Sequence, residues 1–191
     1  MKKMLITLLG TSSLLSFSTG ALSADYVIDT AGAHASINFK IKHAGFSWLT
    51  GRFNTFDGKF SYDKDNISGS NIQVNIDTAS IDSNHAKRDK HLRSDDFLNV
   101  EKFPTSTFIS KNFIDKGNGK IDIIGDLTLN GVTKSIKITA KKIAEGERKN
   151  KYLAGFNGQS EIVLKDFNIK KDLGPASASV FMDLHIEGIR Q

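Results

Sequence analysis

The sequence has no cysteine, two prolines and a single tryptophan among its 191 residues. Without cysteine the chain has no disulfides, thiolate metal sites or thiol nucleophile, and its stability must come from an ordinary apolar core. Beyond its first residues it also lacks the unbroken apolar run of about 18 residues that a membrane-spanning helix requires. These absences argue against a disulfide scaffold, a cysteine-dependent enzyme and a helical membrane protein.

The beginning of the chain has the pattern of a secretory signal peptide. Two lysines give a basic start, residues 4–17 form an apolar core, and small residues follow. Cleavage is expected after Ser23 or after Ala24, so that residues 1–23 are the signal peptide and residues 24–191 the mature domain. We therefore expect the chain to be exported.

The mature chain has a small positive charge. Of its 26 basic side chains Lys2 and Lys3 belong to the signal peptide, so 24 remain against 21 acidic ones. This excess is too small to indicate a nucleic-acid-binding protein. The length suits one domain, and no linker rich in Pro, Gly or Ser divides it.

From Tyr26 onward apolar and polar residues alternate, which is the period of a half-buried β-strand. The run Ala35–Lys42 is the clearest example, and Val180–Glu187 is a similar final strand. Asn130–Gly131, between two alternating runs, is a strong hairpin signal. About eight long strands separated by short turns predict an all-β fold, an antiparallel sheet closed into a single eight-stranded barrel.

Two places interrupt this alternation in the first half of the chain. Residues 46–51, which include Trp48, are expected to form a compact apolar turn. Phe53 is out of step with the residues that follow, so a β-bulge is expected near Asn54 and Thr55. Neither feature changes the predicted fold class.

The segment 83–104 is the one long break in the strand pattern, and it is rich in charge. The stretch from Asn84 to Arg93 lacks glycine and proline, and Asn84 is a good N-cap residue. Asp89 precedes Arg93 by four residues, the favourable order for a helical ion pair. These features predict a short helix over residues 84–93, either as a solvated crossover between strands or as a lid at one end of the barrel.

The strand pattern also defines the residues that would face the interior. Eight strands enclose either packed side chains or one elongated ligand, and the alternation is compatible with both. A deep apolar tube without buried charges suits a lipid chain better than catalysis. The candidate lining consists of the apolar strand positions of one parity, together with one phenylalanine of the central segment: Ile37, Phe39, Ile41, Phe53, Phe60, Val74, Ile76, Phe97, Phe108, Leu127, Leu129, Phe156, Ile162, Met182 and Leu184.

An outer-membrane barrel shows the same alternation with its apolar face turned outward. Such barrels have girdles of tyrosine and tryptophan, whereas this chain has three tyrosines and one tryptophan. Its last residues, Gly188 to Gln191, also lack an aromatic strand end. An exported barrel with an apolar interior is therefore favoured.

Five ordered stretches spread over the mature chain have a distinctive sequence. They are KHAGFSWLTGRF at 42–53, NHAKRDKHLRSDDFLN at 84–99, KFPTSTF at 102–108, GDLTLNGVTK at 125–134 and KDFNIKKDLGPAS at 165–177. Together they resemble the YceI-like family of exported, lipocalin-like proteins that bind polyisoprenoids. Lys165 and Asn168 stand where the broader family often has Arg and Gly, and this is similar to the periplasmic subgroup of Gram-negative bacteria.

The resemblance implies an extended eight-stranded lipocalin-like barrel in the periplasm. Its interior would hold a long isoprenoid lipid, such as a polyprenyl chain, a quinone precursor or a polyprenyl diphosphate, with no cofactor and no established catalytic residues. The candidate contacts to the polar head group are His43, Arg88 and His91, because a diphosphate pairs with arginine and a quinone oxygen accepts from histidine. A monomer, a dimer and a transient contact with a membrane all stay open.

Three other functions fit parts of the sequence. His85 with Asp89, and His91 with Asp95, have the spacing of helical ligands, but the two pairs would face different sides of a short helix, so no metal site is expected. An enzyme acting on an isoprenoid at the barrel mouth lacks support, because none of the known nucleophile, metalloprotease, phosphate-loop or dinucleotide motifs is present. A structural secreted β-domain with a solid core would show the same strand pattern.

Overall fold

The computed structural model describes residues 23–191, so residues 1–22 of the predicted signal peptide lie outside the described part of the chain. The described chain contains eleven strand segments and one α-helix, α1 (Ala86–Arg93). The strand segments are β1 (Ala24–Ile28), β2 (Ser36–His43), β3 (Ser47–Phe53), β4 (Phe56–Tyr62), β5 (Asn71–Asp77), β6 (Ile81–Asp82), β7 (Thr105–Gly117), β8 (Lys120–Leu129), β9 (Val132–Arg148), β10 (Lys151–Val163) and β11 (Ser179–Arg190). Short 3-10 turns occupy Ile67–Gly69, Thr78–Ser80, Leu164–Phe167 and Pro175–Ser177.

The strand segments form one closed antiparallel barrel. Hydrogen bonds join them in the order β1, β4, β5, β7, β8, β9, β10 and β11, and β11 pairs with β1 to close the ring. Three of the eight strands are interrupted, because β2, β3 and β6 continue β1, β4 and β5 and pair with β11, β2 and β3. The predicted eight-stranded antiparallel barrel with one short helix is confirmed.

The alternation of the sequence places apolar side chains inside this barrel. In β8, for example, Ile121, Ile123 and Leu127 are buried, while Asp122 and Asp126 between them are only partly covered. The predicted hairpin at Asn130–Gly131 joins β8 to β9, and both of its residues have positive φ angles of 49° and 75°. Sequence period and turn chemistry therefore fix most of the barrel wall.

The β2–β3 hairpin differs from the expected apolar turn at 46–51, which is wrong. The turn is made earlier, because Ala44 and Gly45 adopt positive φ angles of 49° and 82°. Ser47–Phe53 is then free to pair with β2 as a full strand. Trp48 consequently lies on the outer face of a strand beside the turn, where it is 47% exposed.

At Asn54 and Thr55 the chain has a complete break between β3 and β4 in place of the expected bulge. The backbone N–H of Asn54 donates to the Ser80 carbonyl at 3.1 Å, and the Thr55 carbonyl accepts from Asp77 N–H at 3.0 Å. These two hydrogen bonds connect the break to the interruption between β5 and β6, which lies beside it. The local sequence is compatible with both a break and a bulge, and only the pairing with residues distant in sequence decides between them.

The helix begins two residues later than predicted. Asn84 is not its N-cap, because Asn84 adopts a left-handed conformation with φ of 59°. His85 occupies the N-cap position, and its Nδ1 accepts from the Arg88 backbone N–H at 3.2 Å. Among residues 23–191, no helix is long and apolar enough to cross a membrane.

The expected ion pair between Asp89 and Arg93 is also wrong. Asp89 is buried, and its Oδ1 accepts from the Ser83 backbone N–H at 2.9 Å and from the Ser83 hydroxyl. Arg93 instead donates to the carbonyls of Ala79 and Ile81, each at 2.7 Å. Both side chains therefore attach the helix to the barrel beside β6.

Candidate ligand cavity

A cavity of about 520 Å³ lies inside the barrel. This volume falls within the range of about 300–1,000 Å³ that is typical of small-molecule and cofactor pockets. Most of its wall is made by inward-facing apolar side chains of the barrel strands. The predicted lining residues that the structure places on this wall are Ile37, Phe39, Ile41, Phe53, Val74, Ile76, Phe97, Phe108, Leu127, Leu129, Ile162, Met182 and Leu184. Their role in ligand binding stays a prediction.

Sequence reasoning missed part of the wall. The additional apolar lining residues are Leu49, Ile72, Ile81, Leu92, Ile136, Ile138, Leu164, Leu173, Val180 and Ile186. Strand parity could have found Ile72, Val180 and Ile186, because each lies on the inward-facing parity of a predicted strand. Leu49 and Ile81 lie on strand segments that the sequence did not reveal, so no signal identified them.

The structure places Phe60 and Phe156 outside the wall of this cavity, around a smaller void of about 70 Å³ that adjoins the cavity and shares part of its lining. They belong to an aromatic cluster in which the Tyr26 and Phe60 rings stack at 4.8 Å between centroids. Phe156 packs edge-on against Phe60 at 5.7 Å and against Tyr62 at 5.1 Å. Burial raises the pKa of both tyrosines above the ordinary value, so they stay neutral. The cluster blocks this end of the barrel, which we call the closed end.

The opposite end of the barrel, here called the mouth, is surrounded by three elements. The end of β2, beside its turn into β3, contributes His43, α1 contributes Arg88 and His91, and the loop between β10 and β11 contributes Lys171 and Leu173. These elements are far apart in sequence, and barrel closure brings them together. All three predicted head-group residues therefore line the same cavity at its mouth, while their contact with a ligand stays a prediction.

Arg88 is held at the mouth by the segment that precedes the helix. Its Nε donates to the Ser83 hydroxyl at 2.7 Å, and its Nη2 donates to the Ser83 carbonyl at 2.6 Å. Ser83 is in turn bound to the buried Asp89 carboxylate. This network fixes the guanidinium and leaves Nη1 without a hydrogen bond among the described residues. The free Nη1 is a charged donor suited to an anionic or carbonyl oxygen.

The two histidines at the mouth are held differently. The His91 Nε2 atom lies 2.7 Å from Asp96 Oδ2, and the His91 ring packs edge-on against Phe97 at 5.0 Å between centroids. His43 is exposed and has no side-chain hydrogen bond in the part of the chain that the structure describes. His91 is therefore oriented by the protein, whereas the His43 ring can rotate toward a bound group.

Among the described residues one group of His, Asp and Glu side chains is close enough to hold a cation, and it lies away from the cavity. It consists of Asp29, His34 and Glu187. His34 Nδ1 is 2.7 Å from Asp29 Oδ2 and 3.6 Å from Glu187 Oε1. The hydrogen bond from His34 is the main reason why the pKa of Asp29 is lowered. The hydrogen bond between His34 and Asp29 accounts for the group without a metal.

Comparison with known proteins places this geometry in a family. The model of the YceI-like domain matches residues 26–188. A UPF0312 protein of Shewanella denitrificans is 57% identical over 191 residues, which cover 100% of this chain and 99% of that protein. Among solved structures, the YCEI protein of Campylobacter jejuni superposes with a TM-score of 0.72 at 27% identity, over 79% of this chain and 90% of that one.

A polyisoprenoid binding domain from Saccharophagus degradans has the same fold. It superposes with a TM-score of 0.60 at 16% identity, over 89% of this chain and 100% of that chain. The family match covers nearly all of the described barrel and every element around its mouth. This chain belongs to the YceI-like family.

Proposed function

We propose that this protein is a periplasmic, non-enzymatic carrier that holds a long isoprenoid lipid in the barrel cavity. The observation that carries the proposal is one apolar cavity, blocked at the closed end and open beside cationic and imidazole side chains at the mouth. The polyisoprenoid binding domain of Saccharophagus degradans supports the ligand class by analogy. The predicted signal peptide at 1–23 supports the location.

The energetics favour an apolar chain as the ligand. Each buried methylene contributes about 0.8 kcal/mol, so a chain of tens of carbons offers more transfer free energy than tight binding requires, even after ordering costs are subtracted. Nearly all of the cavity wall is apolar and offers few hydrogen-bond partners. Such a wall selects a ligand mainly by the length and width of its chain.

The polar end of the ligand is expected at the mouth. A diphosphate oxygen would accept from Arg88, whose guanidinium is already oriented by Ser83. A quinone or phenol oxygen would instead accept from His91 or from the freely rotating His43. Either head group would then lie next to solvent while its chain extends toward the closed end.

The wall chemistry favours binding over catalysis. The ionisable side chains that line the cavity all lie at its mouth: Lys42, His43, Arg88, His91 and Lys171. Two serine hydroxyls of the wall are used in the protein itself, because Ser106 donates to the Thr128 carbonyl at 2.8 Å and Ser177 donates to the Lys42 carbonyl at 2.7 Å. Neither hydroxyl is paired with a general base, as a nucleophile would require. The cavity also argues against a purely structural domain with a solid core.

Filling the cavity from within tests the proposal. Val180 is half-buried on the cavity wall, whereas Val27 is 46% exposed on the outer face of β1. We expect Val180→Trp to lose most of its bound lipid, because the indole occupies the space of the chain near the mouth. Val27→Trp, the matched control, should keep it. Native mass spectrometry of protein purified from its own periplasm, followed by lipid extraction, measures the occupancy.

Two outcomes would contradict the proposal. One is wild-type protein that carries no hydrophobic adduct in several independent preparations. The other is equal occupancy in the Val180→Trp and Val27→Trp variants when both have folded, as judged by their circular dichroism spectra. The first result would rule out lipid carriage, and the second would rule out the barrel cavity as the place where the lipid is held.

A further inference from the structure

Large apolar side chains are exposed beside the cavity mouth. Phe46, at the tip of the β2–β3 turn, is 93% exposed, the highest value among the exposed large hydrophobic residues of the described chain. Trp48 next to it is 47% exposed, and Leu173 on the β10–β11 loop is 38% exposed. Apolar groups concentrated at one edge of a soluble domain mark an interaction site more often than scattered ones do.

The exposed groups form one surface together with three lysines. A Cβ atom on Gly45 would lie 3.7 Å from Ala176 Cβ, so the β2–β3 turn adjoins the β10–β11 loop. We call this surface the rim. It comprises Phe46, Trp48, Leu173, Lys40, Lys42 and Lys171. Lys42, Lys171 and Leu173 also line the cavity, so the rim is continuous with the mouth.

The charges of the rim are positive and are not neutralised by the protein. Within residues 23–191, no carboxylate lies within 4.0 Å of Lys40, Lys42 or Lys171. The Nζ atoms of Lys40 and Lys42 lie 5.1 and 5.7 Å from the centre of the Trp48 ring. The Phe181 ring also packs edge-on against this indole, at 5.7 Å between ring centroids. The rim therefore presents an ordered indole, a fully exposed phenyl ring and unpaired ammonium groups.

We propose that the rim docks on a bilayer that contains anionic phospholipid, with the cavity mouth facing the membrane. Tryptophan, phenylalanine and lysine together suit the interface between head groups and acyl chains, and anionic lipids attract the lysines. A second copy of the chain is a poorer occupant, because a symmetric dimer would bring the same lysines against each other. The purpose of docking rests on the proposed carrier function, since it lets a lipid enter the barrel without crossing water.

The single tryptophan makes the rim directly observable. Trp48 is the only tryptophan in the chain, so a blue shift of its emission reports transfer of the rim into a membrane. We expect wild-type protein to float with vesicles of phosphatidylcholine and phosphatidylglycerol, and to bind weakly to vesicles of phosphatidylcholine alone. Added salt should weaken the binding, because it screens the lysines.

Matched substitutions separate the rim from the rest of the surface. Lys40→Glu, at a rim lysine that does not line the cavity, should weaken vesicle binding by fivefold or more, since each lysine near an anionic surface contributes about that factor. Phe46→Ser should weaken it by about tenfold through lost apolar burial. The controls lie elsewhere on the barrel: Ile143→Ser removes an apolar side chain that is 63% exposed, and Lys116→Glu reverses an exposed charge. Both controls should bind like wild type.

Three outcomes would overturn the rim proposal. They are no flotation of wild-type protein with anionic vesicles, equal binding by rim and control variants, and a Phe46→Ser effect confined to self-association in size-exclusion chromatography. Native mass spectrometry of the same variants measures their bound lipid, so the carrier function is tested independently of membrane docking. Rim variants that lose vesicle binding but retain lipid support docking, and an empty cavity with intact docking would contradict lipid carriage alone.

Discussion

Side chains of α1 at the mouth are positioned by hydrogen bonds to residues that lie outside the helix. The sequence predicts that Asp89 pairs with Arg93 on the helix surface, yet Asp89 is 7% exposed and accepts from Ser83. The Ser83 hydroxyl accepts from Arg88 Nε at 2.7 Å. A buried carboxylate thus holds Ser83, and Ser83 holds the guanidinium at the cavity. The polar character of the mouth depends on this chain of contacts more than on helical spacing.

Removing the Asp89 carboxylate tests this network. Asp89→Ala leaves the buried Ser83 N–H and hydroxyl without an acceptor, which should lower the free energy of unfolding by about 1–3 kcal/mol. Urea denaturation measures the change. Lys87→Ala on the exposed side of the same helix is the control and should stay within about 0.5 kcal/mol of wild type. Similar small effects for both variants would show that Asp89 is not a structural anchor.

At the closed end, a glycine in one strand segment makes room for an aromatic ring from another. Gly188 of β11 faces Phe60, and a Cβ atom there would overlap the Phe60 ring and lie 3.0 Å from Tyr26 Cβ. The Phe60 ring therefore occupies the space where a side chain of β11 would project. This packing allows the aromatic cluster to block the barrel.

Gly188→Ala is expected to disturb this packing. Overpacking of a filled core typically costs about 1–3 kcal/mol, so the free energy of unfolding should fall by that amount. Gly155→Ala on the neighbouring β10 is the control, because its Cβ would meet its nearest atoms only at 3.9 Å. Thermal unfolding followed by circular dichroism compares the two. A Gly188→Ala variant as stable as Gly155→Ala would mean that Phe60 moves without cost.

The elements that the sequence predicted correctly are those decided by local rules. Alternation gives the strands, and Asn130–Gly131 gives a hairpin because both residues tolerate positive φ. The helix also follows from its local sequence. The hydrogen bond between Asp89 and Ser83 does not, because Ser83 lies outside the helix. The strand at 47–53 does not follow from local rules, because its pairing with β2 depends on the turn at Ala44 and Gly45.

Across the whole molecule, the same alternation of apolar and polar residues gives a packed interior at one end of the barrel and a cavity at the other. Phe60 and Phe156 follow the same parity as Phe39 and Phe108, yet the first two meet each other at the closed end and the last two border the cavity. Whether inward side chains meet depends on the cross-section of the closed barrel, which alternation does not encode. A ligand in the cavity would complete the apolar core that the side chains leave unfilled.

A bound lipid should therefore stabilise the whole fold. A ligand at a hundredfold excess over its Kd that binds only the folded state adds about 2.7 kcal/mol. At about 2–4 °C per kcal/mol for a domain of this size, the Tm of lipid-stripped protein should rise by about 5–10 °C.

Differential scanning calorimetry with a long-chain polyprenol in detergent measures the shift against detergent alone. Val180→Trp should show little increase, because its indole already fills part of the cavity, whereas Val27→Trp should respond like wild type. Equal increases in both variants would mean that the lipid acts on the outer surface. The absence of any increase in wild-type protein would mean that the polyprenol does not complete the core.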